Sequence, residues 1–193
     1  ACGKGRHAKF LSEFNHQVMG VDLSPNSIEK TSEYAHEKLR FQTHDMREVI
    51  ENEEFDVIFN LFTSFGYFDD ESENKRMCDS ISQMLVPGGR LLIDFMNAKK
   101  VIENLVPAET KTIDGITFDI TRTYDGKHIY KHIAVTDGEQ VSRYMERVQA
   151  IKLLDFRSLL ETHFEIIHTF GSYDLAPFDE EKSDRLILLA HLK

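Results

Sequence analysis

The sequence predicts an α/β domain with a mostly parallel sheet, interrupted late in the chain by an antiparallel insertion. Two observations carry that reading. From Ala1 to Phe95, short apolar strand patterns alternate with helical ones, the order that builds strand–helix–strand crossovers. After about Pro107 the spacing changes. Asp114-Gly115, Asp125-Gly126 and Asp137-Gly138 then punctuate alternating apolar and polar residues, as hairpin turns do. Length agrees, since 193 residues allow one domain with a sizeable insertion.

Each element follows from local pattern. A glycine-rich start runs into a helix with Ala8, Leu11 and Phe14 at helical spacing. Residues 18–21 form a short apolar strand ending at Asp22. Ser24-Pro25 supplies an N-cap and a first-turn proline for a helix whose buried face is Ile28, Ala35 and Leu39. Residues 41–44 are a brief strand ending at Asp45. Residues 55–62 are almost continuously apolar, as expected of a strand covered on both faces. Acids from Asp69 open a helix carrying Met77, Ile81, Met84 and Leu85 on one face. Pro87-Gly88-Gly89 breaks it, and residues 91–95 form another buried strand. Residues 110–151 read as a meander of about four strands, with Ile116, Phe118, Ile120 and Tyr124 on one face. A helix from Asp155, a strand over 164–170 and a last strand over 185–192 restore the first pattern.

Charge and composition narrow the function classes. The 23 Lys+Arg against 33 Asp+Glu leave a net charge of −10, which argues against a protein that grips nucleic acid by its phosphates. No apolar run approaches the ~20 residues that span a bilayer; the longest are Leu91-Leu92-Ile93 and residues 186–190. Cys2 and Cys78 make neither a disulfide framework nor a metal spacing, so a reducing cytoplasm is the default compartment. His128 and His132 face the same way on one strand, yet no third ligand accompanies them. An exposed face is expected there, and no metal.

The chemistry gathers at the ends of the early strands. Ala1-Cys2-Gly3-Lys4-Gly5 is a glycine-rich turn opening a helix, where the backbone can approach a ligand and unpaired N–H groups await it. Asp22 ends the next strand, where a carboxylate can accept from both hydroxyls of a ribose. Asp45 ends the third and can receive an exocyclic amine. These groups would line the carboxyl edge of a parallel sheet, the edge at which open α/β sheets bind ligands.

With these residues in order, the chain resembles the class I S-adenosylmethionine-dependent methyltransferases. Residues 1–5 look like the end of that family's glycine motif, with Ala1 where a glycine is usual. Val21-Asp22-Leu23-Ser24 resembles the ribose-binding motif and His44-Asp45-Met46-Arg47 the adenine-binding one. Asn60-Leu61-Phe62 begins a stretch like the strand end that lines the methyl donor, and Pro87-Gly88-Gly89 resembles the turn before strand five. The resemblance implies a Rossmann-like sheet of seven strands ending in a reversed hairpin. It implies S-adenosylmethionine as cofactor, held by Ala1, Cys2, Gly3, Gly5, Asp22, Leu23, Asp45, Met46, Asn60, Leu61 and Phe62. The first strand is expected upstream of residue 1, leaving an open position beside residues 18–21.

The insertion resembles that of the sugar N,N-dimethyltransferases and of glycine N-methyltransferase-like enzymes, where it covers the active site. The α/β domain is expected over residues 1–107 and 152–193, with 108–151 as a cap or a dimerisation element. A small-molecule acceptor follows, with Tyr67, Asn97, Tyr144 and Arg147 as candidates to touch it. The competing readings are an NAD(P)-dependent oxidoreductase, which the glycine motif and Asp22 also fit, and a non-catalytic S-adenosylmethionine-binding protein. Against the oxidoreductase, Asp45-Met46 and Pro87-Gly88-Gly89 have no role there, and no Tyr-x-x-x-Lys pair occurs.

Overall fold

A computed structural model describes all 193 residues. The glycine turn leads into α1 (Arg6–Ser12), followed by β1 (Val18–Asp22), α2 (Pro25–Glu29), a 3₁₀ turn (Ser32–Tyr34) and β2 (Leu39–Thr43). Then come β3 (Phe55–Asn60), α3 (Glu71–Met84), β4 (Leu85–Met96) and α4 (Ala98–Glu103). The meander comprises β5 (Ala108–Ile113), β6 (Ile116–Tyr124), β7 (His128–Asp137) and β8 (Gln140–Gln149). The chain ends with α5 (Leu153–Leu160), β9 (Phe164–Phe170) and β10 (Arg185–Leu192).

The sheet is not one piece. β1 and β2 pair in parallel as one sheet, while β3, β4, β10 and β9 form a second in that order. β3 and β4 are parallel, and β10 runs antiparallel to both β4 and β9, the expected reversed hairpin. Six strands stand in these two sheets, divided between β1 and β3, and the open position expected beside residues 18–21 lies at that division. One departure lies in β3. The apolar run of β3 is not covered on both faces: Val57 is 39% exposed and Phe59 43%.

The β3–β4–β10–β9 sheet and the helices α3 and α5 enclose the core. Phe156 of α5 meets Phe65 and Phe95 edge to face, each at 5.2 Å between centroids, the geometry the ring quadrupoles favour. Met77, Cys78 and Ile81 fill the α3 side. Asp70 caps α3 and its partner Glu73 reaches back to the Asp70 N–H, closing a capping box.

The helix expected to run from Pro25 to Leu39 ends early. Ser24 does cap it, accepting from Ser27 N at 3.2 Å. Thr31 and Ser32 then turn their hydroxyls back onto the Ile28 and Glu29 carbonyls, at 2.6 and 2.7 Å, and such bonds compete with the helical ladder. Leu39, expected on that helix, is instead the fully buried first residue of β2. In the meander the three Asp-Gly pairs sit at the three turns, and its first strand begins at Ala108, two residues before the expected start. Its inner end is anchored in the body. Val148 and Ile151 belong to the main core, and Gln149 accepts from Asn74 Nδ2 at 2.6 Å. His128 is buried at that end and so departs from the exposed face expected of it, whereas His132 is exposed.

Candidate active site

The carboxyl ends of β1, β2 and β3 converge, and three contacts show it. Gly3 N donates to Asp22 Oδ2 at 2.8 Å, fastening the glycine turn to the end of β1. Asn60 Nδ2, at the end of β3, lies 3.8 Å from Met46 Sδ, just beyond β2. The His7 ring stacks on Phe62, beyond β3, with centroids 4.6 Å apart. Residues far apart in the chain therefore share one edge.

The glycine turn is built for close approach. Gly3 has a left-handed φ of 53°, and a Cβ there would meet nothing within 4 Å, so its face is open to a ligand. Gly5 serves differently: a Cβ would lie 2.7 Å from the Phe41 ring, so this glycine lets α1 pack on β2. Cys2 N donates to Val21 O at 2.8 Å and Ala1 is exposed at the start of the turn. Asp22 Oδ1 accepts from Ser24 N at 3.0 Å. With one backbone N–H on each oxygen, the carboxylate keeps further lone pairs for hydroxyl donors. Leu23 beside it is 67% exposed, offering an apolar surface at the rim.

Asp45 is already engaged. Arg47 donates to it from its backbone N and Nε, both at 2.9 Å, and from Nη2 at 2.5 Å. These bonds hold the Asp45 carboxyl at a pKa of about 2, below its ordinary value. Arg47 also pairs with Glu73 and lies over the Phe68 ring, tying the end of β2 to α3. Asn60 Oδ1 is buried and accepts nothing within the chain. An orphaned buried acceptor costs stability unless a ligand supplies the donor, and this one sits between Met46 and the Leu61-Phe62 turn. The open face of Gly3, the free lone pairs of Asp22 and this orphaned carbonyl all fit an adenosine-bearing cofactor.

The four acceptor candidates separate. Tyr67 is half exposed, and burial followed by the charge of Glu146 on β8 raises its pKa. Tyr144 is exposed on β8. Arg147 pairs with Asp69 at the start of α3. Asn97 is buried and spends its amide holding the β9–β10 loop, donating to Glu180 O and Ser183 O, both at 2.8 Å.

A polar cluster at the same edge lay outside the sequence reading of the site. Asp94, buried within β4, accepts from Phe62 N at 3.0 Å, from Tyr173 Oη at 3.2 Å and from Arg185 Nε at 2.8 Å. Arg185 Nη2 also reaches Thr63 Oγ1 at 3.2 Å. The signal available in sequence was an aspartate inside the apolar run Leu91-Leu92-Ile93-Asp94-Phe95, since a fully buried carboxylate requires partners.

Residues 1–89 match a family model described as a methyltransferase domain. That match covers just under half of the chain's 193 residues. Among solved structures the whole chain is similar to an S-adenosylmethionine-dependent methyltransferase from Clostridium acetobutylicum ATCC 824, at 21% identity and TM-score 0.88, covering 100% of this chain and 81% of that one. It is similar to the CcbJ methyltransferase of Streptomyces caelestis at 16% identity and TM-score 0.87, with 100% and 81% covered. A third is CalS10, an amino pentose methyltransferase from Micromonospora echinaspora, at 19% identity and TM-score 0.73, with 100% and 80% covered. No curated protein sequence matches the chain. The matched residues include the glycine turn, Asp22, Asp45 and Asn60, and the whole chain has the fold of these methyltransferase structures.

Proposed function

We propose that this protein transfers a methyl group from S-adenosylmethionine to a nitrogen or oxygen nucleophile of a small molecule in the cytoplasm. One observation carries the reading: open Gly3, Asp22 with free lone pairs and the orphaned Asn60 Oδ1 converge at one sheet edge within a methyltransferase domain. Two of the solved structures it resembles are an amino pentose methyltransferase and a sugar N-methyltransferase, which supports a small acceptor.

S-adenosylmethionine supplies an activated methyl, so the protein has no bond to polarise. The work of its residues is positioning and exclusion of water. Asp22 accepts from the ribose hydroxyls, Gly3 brings backbone against the ligand, and Asn60 Oδ1 takes an N–H. Leu23 and Met46 supply apolar walls around the base. Residues 1–107 with 152–193 form the donor-binding body. Residues 108–151 form the cap over the mouth, where Tyr67 and Tyr144 face the acceptor.

Calorimetric titration with S-adenosylmethionine tests this. Asp22→Ala removes an ionised hydrogen-bond partner worth ~1.5–3 kcal/mol, so affinity falls by roughly tenfold or more. Unchanged affinity in that variant, at unchanged stability, rejects the assignment.

A further inference from the structure

An aromatic row crosses the carboxyl edge. His7, Phe62 and Tyr173 come from α1, the turn after β3 and the β9–β10 loop. His7 and Phe62 are 4.6 Å apart and nearly parallel, and Phe62 and Tyr173 are 6.2 Å apart. Large exposed aromatics are costly to leave in water, yet Phe62 is 50% exposed and Tyr173 60%. Phe62 and Thr63 both hold left-handed φ angles, 56° and 63°, a conformation bulky residues avoid. Two such residues in succession are sustained only where the surroundings over-determine them, and such strain clusters at ligand clamps.

Asp94 and Arg185 supply that determination. The buried Asp94 carboxylate holds Phe62 N, Tyr173 Oη and Arg185, while Thr63 N donates to Asp94 O at 2.9 Å. Arg185 lies over the Tyr173 ring at 5.9 Å and reaches Thr63 Oγ1. One carboxylate thereby sets two of the three rings.

We propose that His7, Phe62 and Tyr173 form a wall that recognises the positive charge of the methyl donor's sulfonium, with Asp94 as its positioning residue. This rests on the reading of the protein as an S-adenosylmethionine-dependent methyltransferase. The faces of aromatic rings attract cations, and the wall stands between the glycine turn and the end of β4. Burial and then Arg6 lower the His7 pKa, which favours the neutral imidazole, and the charge of Arg185 beside Tyr173 is paired with Asp94. Burial raises the Tyr173 phenol, which therefore keeps its proton for Asp94. The wall serves turnover as well as binding: the product S-adenosylhomocysteine has a neutral thioether and loses the attraction once the methyl has left. Tyr173, Asp94 and Arg185 all lie beyond residues 1–89, so the donor site draws on the part of the chain outside the matched domain.

The experiment is calorimetric titration of the full chain and of Phe62→Leu, Tyr173→Leu, Tyr173→Phe and Asp94→Asn with S-adenosylmethionine and S-adenosylhomocysteine. The quantity read is the ratio of the two affinities, which a purely structural loss does not move. In Phe62→Leu and Tyr173→Leu the preference for the charged ligand falls about fivefold, with S-adenosylhomocysteine affinity within twofold of the parent. Asp94→Asn lowers the ratio in the same direction. Tyr173→Phe, which keeps a ring, retains more of it than Tyr173→Leu. A ratio unchanged in both leucine variants overturns the wall while leaving the donor assignment intact. A parent protein that binds neither ligand overturns the donor reading and the wall with it.

Discussion

Aspartates at strand ends do two different jobs in this protein, and their partners distinguish them. Asp22 is held by two backbone N–H groups and keeps acceptor capacity. Asp45 is clamped by Arg47 along both oxygens, which makes it a structural tie as much as a ligand contact. Its pKa near 2 lies below the ordinary carboxylate value, so the charged form stabilises the fold. That stabilisation is complete above about pH 4 and is lost as the pH falls towards 2. Asp45→Asn is therefore less stable than the parent by about 1–2 kcal/mol at pH 6, with the difference vanishing near pH 2. Denaturant unfolding at a series of pH values measures it, and a difference independent of pH contradicts the clamp. The placement of Asp22 and Asp45 at strand ends was legible in sequence, because Asp22 closes β1 and Asp45 lies two residues beyond β2. The Asp94 cluster was not, because Tyr173 and Arg185 lie 79 and 91 residues from it and meet it only through the antiparallel pairing of β10 with β4.

Elements with strong local punctuation were the legible ones. β9 and β10 have the expected bounds, and the meander's turns fall at its Asp-Gly pairs, because left-handed turn geometry is written in those residues. The span from Pro25 to Leu39 was misread because apolar spacing alone does not register hydroxyls turning back at Thr31 and Ser32. The meander carries a prediction of its own. Its inner end belongs to the core through Val148 and Ile151, whereas the turns at Asp114-Gly115 and Asp137-Gly138 lie at its far end. Trimming only those two far turns leaves the core intact. S-adenosylmethionine affinity then stays within about tenfold, while transfer of labelled methyl to a metabolite pool is lost, as expected when a cap is removed. Transfer at the parent rate shows that the far half of the meander is no cap.

At the scale of the whole molecule, the β1–β2 sheet and the β3–β4–β10–β9 sheet meet at the candidate site although no strand pairing joins them. His7 on Phe62 and Asn60 against Met46 bridge that division on the candidate site itself. A ligand lying across the edge therefore links both halves, and its binding stabilises the whole fold. At 100 times its Kd a ligand that binds only the folded state adds ~2.7 kcal/mol. For a chain of this length that corresponds to a rise in Tm on the order of 5–10 °C. Thermal unfolding with S-adenosylmethionine, and in parallel with NAD, tests the central claim most directly. The account predicts that S-adenosylmethionine raises Tm by that amount and NAD leaves it unchanged; a rise with NAD, or none with S-adenosylmethionine, contradicts it.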